Sequence, residues 1–176
     1  VLEPDSEEAQ QVESSLAEAR KNASVSSAAG VTTQDQINQM VQRLADRLKA
    51  NPDDLEGWSR LARAYKVQGR LEQAENAYEK AIKLVNTDAN LLTQYADLLA
   101  MRAGNTLEGR PLAILDKALA INPKQPEALM MVASAAYRRA DYTLAITRWE
   151  TVLTVLEPGS RDAVLVSAEI AKARSK

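Results

Sequence analysis

Apolar and polar positions alternate along this chain with two periods at once. Over helix-length stretches the apolar residues fall at i, i+3, i+4 and i+7, the spacing of a helix with one buried face. The whole pattern then returns: Trp58, Leu61 and Ala62 shift by 34 residues to Leu92, Tyr95 and Ala96, and by a further 37 to Leu129, Val132 and Ala133. Ala74, Tyr78 and Ala81 shift by 37 to Pro111, Leu115 and Ala118, and then by 34 to Ala145, Trp149 and Val152. The extra three residues, 37 against 34, therefore sit in one place, the loop inside the middle unit.

This pattern predicts helix pairs over residues 55–88, 89–125 and 126–158. In the first, a helix over 55–68 turns at Gly69, where the missing Cβ eases a left-handed backbone, into a helix over 71–85. In the second, a helix reaching Met101 is followed by a loop over 102–110 and a helix opened by Pro111, a residue tolerated in a first turn. The third starts at Pro126 and ends at Pro158 and Gly159. Ahead of the pairs, Ile37, Met40, Val41, Leu44 and Leu48 predict a helix over 34–50 that covers the open end of the first pair. Behind them, residues 160–175 predict a final helix, capped by Ser160 or Asp162, with Val164, Leu165, Ala168 and Ala171 covering the last pair. Residues 1–33 carry no apolar period able to build a core and are expected to be a mobile linker, with a transient helix from Asp5 to Lys21.

The run W-x2-L-(G/A)-x2-Y, then A-x3-aromatic, then Pro, at this period, resembles the tetratricopeptide pattern. The expected fold class is all-α, a tetratricopeptide (TPR) solenoid of three helix pairs with an N-terminal and a C-terminal capping helix. Such an array leaves an open concave surface, so holding another polypeptide is the expected function. In the first helix of each pair the core stripe is occupied, and residues one position further round must face elsewhere. These are Ser59, Arg63 and Lys66; Thr93, Asp97 and Ala100; and Met130, Ser134 and Tyr137, joined by Asn90, Gln94, Met131 and Arg138. The resulting groove is basic at one end and apolar at the other. A carboxylate clamp of the kind used by chaperone-tail-binding repeats needs a Lys and an Asn in this face of the first unit, where Ser59 and Arg63 stand instead. Arg63 with Lys66 can still attract a terminal carboxylate. Trp58, Tyr78 and Trp149 occupy the repeat's own packing positions and are assigned to the core.

Composition narrows the function further. The 176 residues include neither Cys nor His, which removes disulfides, thiolate and imidazole catalysis and the usual zinc and haem ligands. Asp53 and Asp54 are adjacent acids where a helix begins, the usual place for capping rather than catalysis. With no glycine-rich phosphate loop, no enzyme activity and no cofactor are expected. Residues 1–33 hold six acids against Arg20 and Lys21, and the remainder is nearly balanced within a net charge of −2, far from a nucleic-acid-binding footprint. No apolar run reaches the roughly 18 to 20 residues of a membrane span. A chain that begins at Val1 is expected to be a processed or excised piece of a longer protein.

Three longer stretches narrow the resemblance. They are ANPDDLEGWSRLARAYKVQGRLEQAENAYEKA, the lengthened loop ahead of PLAILDKALAINPKQPEALMM, and AAYRRADYTLAITRWETVLTVLEPGS. Together they resemble the periplasmic TPR domain of the c-type cytochrome biogenesis family known as CcmI or CycH, with NrfG as a shorter relative. The likeness covers residues 35–160 and implies a chaperone of apocytochrome c, anchored in the inner membrane and facing the periplasm. It would bind the C-terminal helix of apocytochrome c and present the client to the haem lyase subunits of the maturation complex, residues 1–33 serving as tether. A general TPR scaffold for assembling an envelope complex is the alternative expectation.

Overall fold

The computed structural model describes residues 33–176, so the linker and transient helix expected within residues 1–32 lie outside the described residues. The chain divides into two compact units, Val1–Arg47 and Leu48–Lys176. Helix α1 covers residues 33–50. Of its expected apolar stripe, Val41 and Leu48 are buried together with Ala45, whereas Ile37 and Met40 are exposed.

In the second unit the helices are α2 (Leu55–Val67), α3 (Leu71–Leu84), α4 (Ala89–Arg102), α5 (Arg110–Ile121), α6 (Pro126–Arg138), α7 (Tyr142–Leu153) and α8 (Arg161–Arg174). Helix α2 packs on α3, α4 on α5 and α6 on α7; the pairs join through α3–α4 and α5–α6, and α8 lies on α7. Every described element is helical, as the period predicts.

Local chemistry sets the helix ends. The Asp54 carboxylate accepts the Gly57 N–H at 2.7 Å, Asp88 accepts from Asn90 and Leu91, Asp141 from Leu144, and Ser160 from Ala163. Each satisfies amides that a helix start leaves without an intrahelical partner. Asp54 is thus a cap, and Ser160 rather than Asp162 caps α8. Gly69 turns the first pair with φ +71°, while the third pair makes its turn at Ala140 with φ 61°, left-handed in spite of its Cβ.

The core follows the repeat. Tyr78 has no exposed surface and Trp149 is 2% exposed. Trp58 departs from the expectation: it is only partly buried, and its indole N–H donates to the Pro52 carbonyl at 2.8 Å.

The lengthened middle loop is fastened at both ends by one nearly buried carboxylate. Glu75 pairs with Arg102 before the loop and accepts from Arg110 Nη1 after it at 2.6 Å, while Arg110 Nη2 reaches Glu79 at 2.9 Å and the Tyr95 hydroxyl. Arg139, just past α6, reaches Glu108 within the loop at 2.9 Å. Leu107 is thereby turned inward to 6% exposure.

Helix α8 corrects one expectation. Ala163, Val166, Ile170 and Ala173 are its buried residues, whereas Val164 is 60% and Leu165 56% exposed, and Ala168 and Ala171 are exposed too. The repeat register explains this. Leu129, Val132 and Ala136 of α6, shifted by 34, become Ala163, Val166 and Ile170. The packing face follows that register and not the bulkiest side chains.

Trp149→Ala removes a fully enclosed aromatic ring and should lower unfolding free energy by about 3 to 5 kcal/mol in chemical denaturation. Trp58→Ala should cost clearly less, because part of that ring already faces water. Alkaline unfolding gives a second check. Burial pushes the Tyr78 hydroxyl up to about 12 from 10.0, with Arg63 pulling it down and Asp97 up. Between these pH values the unfolded chain has lost a proton that the folded chain keeps, so stability should fall as pH rises through that window. Burial likewise pushes the Tyr95 hydroxyl up to about 12, so Tyr78→Phe should make this fall in melting temperature from pH 9 to 12 shallower, and Tyr78→Phe with Tyr95→Phe shallower still.

Candidate functional site

Because α2, α4 and α6 each bury one stripe, a second face of each stays outside the pair. Two hollows form where successive faces meet. The first, about 220 Å³, is lined by Ser59 and Arg63 with Leu55 and Glu56 of α2, and by Asn90, Leu91 and Gln94 of α4 beside Asp88. The second, about 270 Å³, is lined by Asp97, Ala100 and Met101 of α4, by Asn105 and Leu107 of the loop, and by Met130, Met131, Ser134 and Arg138 of α6.

The first hollow is polar. Gln94 donates to Asn90 at 3.2 Å and accepts from the Tyr78 hydroxyl at 3.4 Å, and Ser59 donates to the Leu55 carbonyl at 3.0 Å. Of its acids, Glu56 is paired with Arg60 and Asp88 is occupied in capping α4. Arg63 is exposed and makes no hydrogen bond or ion pair among the described residues. Lys66 differs: its ammonium pairs with the Asp97 carboxylate across α2 and α4. The expected cationic pair of Arg63 and Lys66 is therefore reduced to one open guanidinium.

The second hollow has an apolar floor, with Leu107, Ala100, Met130 and Met131 beneath a rim that includes Asp97, Ser134 and Arg138. Leu107 and Asn105 come from the lengthened middle loop, where the period no longer tells which way a side chain turns. Met101 could have been read from the register, since it stands 37 residues before Arg138.

Two expected groove residues lie elsewhere. Thr93 is 3% exposed and its hydroxyl donates to the Ala89 carbonyl at 2.7 Å, so it belongs to the packing of α4. Tyr137 stands between Tyr142 and Trp149, ring centroids 5.4 and 5.8 Å away, with the Lys172 ammonium 5.2 Å above its face. An aromatic at that turn of α6 buries more surface against α7 and α8 than it would in the hollow. No group of acids suited to a metal ion occurs among the described residues.

Three helix hairpins in series, with the spare face of each first helix left open, define a tetratricopeptide-repeat solenoid. Its backbone resembles the crystal structure of MamA with a TM-score of 0.66 at 19% identity, over 81% of this chain and 80% of that one. The chain belongs to the family described as the cytochrome c-type biogenesis protein H TPR domain, whose pattern it matches over residues 5–163. It is 32% identical over 133 residues to the formate-dependent nitrite reductase complex subunit NrfG of Escherichia coli O157:H7, covering 75% of this chain and 67% of that protein. To the cytochrome c-type biogenesis protein CycH of Pseudomonas aeruginosa it is 31% identical over 140 residues, 78% of this chain but only 34% of CycH.

These positions separate groove from packing in a way that stability measures. Arg63→Ala, at an exposed side chain that makes no hydrogen bond or ion pair among the described residues, should shift unfolding free energy by no more than about 0.5 kcal/mol. Tyr137→Ala should lower it by about 2 kcal/mol or more in the same denaturation, through lost ring contacts and the space left behind. Equal effects would mean that Tyr137 is a groove residue after all.

Proposed function

We propose that this domain captures the C-terminal helix of apocytochrome c along the face shared by α2, α4 and α6, and presents the client to the haem lyase subunits of the maturation complex. In this reading it is a non-catalytic chaperone on the periplasmic side of the inner membrane. No helix among the described residues is long and apolar enough to cross a membrane, so attachment would use a segment outside them.

The observation that carries the reading is the change of character along one face. At α2 and α4 the hollow is polar with one open guanidinium; at α4 and α6 it is floored by methionine and leucine. An amphipathic helix laid in a groove needs apolar anchors at one face and satisfied polar groups beside them. Methionine is unbranched and adaptable, which suits clients that differ in the shape of their apolar residues. With Lys66 paired to Asp97, Arg63 would be the group that meets a terminal carboxylate. Membership in a cytochrome c-type biogenesis family supports the identity of the client.

A peptide that must fold as it binds loses roughly 2 to 5 kcal/mol to ordering, so a micromolar dissociation constant is expected. In calorimetry, a synthetic apocytochrome c C-terminal peptide should bind with a negative heat-capacity change. Met130→Ser combined with Met131→Ser should weaken it while circular dichroism stays unaltered. Holocytochrome, with that helix already packed, should bind far less well. Equal binding of both forms would reject the chaperone reading and favour a general scaffold.

A further inference from the structure

The register that placed the packing face of α8 also places its other face. Met130, Met131 and Ser134, which line the second hollow, shifted by 34, become Val164, Leu165 and Ala168. Helix α8 therefore stands as a fourth member of the α2, α4, α6 series, and of its exposed residues Leu165 reaches the hollow beside α6. A third hollow, about 440 Å³, opens between α6 and α8; Met130, Met131, Val152, Leu156, Leu165 and Val166 form its apolar lining. Met130 and Met131 also line the hollow between α4 and α6, so the two hollows meet at these methionines of α6. Glu127 and Asp162 contribute the third hollow's only charges, both acidic and both exposed.

We infer that α8 is the fourth wall of the groove, and that the hollow between α6 and α8 receives an apolar, base-flanked stretch of the bound helix, at the end away from its carboxylate. This rests on the peptide-binding reading above. The occupant's chemistry follows from the lining. Aliphatic side chains fill a floor of methionine, valine and leucine, and Lys or Arg beside them meets Glu127 and Asp162. With the open guanidinium of Arg63 at the other extreme, the ligand lies with its C-terminus at α2 and its basic, apolar part at α8.

The test uses the full chain and a fluorescein-labelled synthetic amphipathic peptide with a free C-terminal carboxylate and, in its N-terminal half, leucines at i, i+3, i+4 and i+7 flanked by lysines. A control peptide carries serines in place of those leucines. Leu165→Ser and, as a separate variant, Leu165→Asn should each weaken the leucine peptide several-fold by anisotropy. The same variants should leave the weaker control peptide and the melting temperature unchanged, since that side chain is more than half exposed. A benzophenone at the N-terminus of the leucine peptide should cross-link to α8, and one at its C-terminus to α2. Tight binding by the unaltered chain that the α8 changes do not disturb would overturn this inference while leaving the peptide-binding reading standing. No binding to the unaltered chain would overturn both. A dimer in sedimentation that the α8 changes dissolve would assign the surface to a second copy, and would also overturn it.

Discussion

Close approach of helices through alanine is the constraint on which the rest of this molecule depends. Ala62, Ala74, Ala81, Ala96, Ala118, Ala133 and Ala145 have no exposed surface, and they recur at the contact positions of all three pairs. A side chain that ends at Cβ lets two helices pack near the lower limit of interaxial distance, and a larger one would force them apart. Packed through these alanines, each first helix commits one stripe to its partner. Because a helix turns every 3.6 residues, the neighbouring stripe must point away. The groove is thus a geometric by-product of how the pairs close, and its chemistry is free to vary without altering the fold.

Two features then give this groove its own character. The Lys66–Asp97 ion pair spans α2 and α4 and removes a cation from the face, which leaves Arg63 as the charged contact of the polar hollow. The inserted loop, held by Arg102 and Arg110 on Glu75, brings Leu107 beneath the second hollow. Glu75 is only 8% exposed, and a carboxylate that deep is tolerated because two guanidiniums meet it. The loop that the repeat lengthens by three residues thus lines the second hollow.

Most of the fold was legible because it repeats. Helix boundaries from Leu55 to Pro158 follow from the 34-residue shift together with Gly69, Pro111 and Pro126. The groove was legible in part, since periodicity says which way a Cβ points but not how far a long side chain reaches. Lys66 bends to Asp97, and Tyr137 folds back onto Trp149. Thr93 satisfies its hydroxyl on the helix backbone and disappears from the surface. At α8 the misreading came from weighing bulk above register. Val164 and Leu165 look like the covering face, yet one more shift of 34 from Val132 points to Val166. Trp58 occupies one of the repeat's own packing positions, but its ring edge reaches the Pro52 carbonyl and part of it stays in water.

The central claim is that one continuous face, built from the spare stripes of α2, α4, α6 and α8, holds a helical client. Amide chemical-shift mapping of the full chain during titration with an apocytochrome c C-terminal peptide tests it most directly. The account predicts the largest shifts at Arg63, Gln94, Ser134 and Ala168, on the four helices of that face. Shifts confined to the outer residues of α3, α5 and α7, such as Lys80, Lys117 and Thr147, would contradict it.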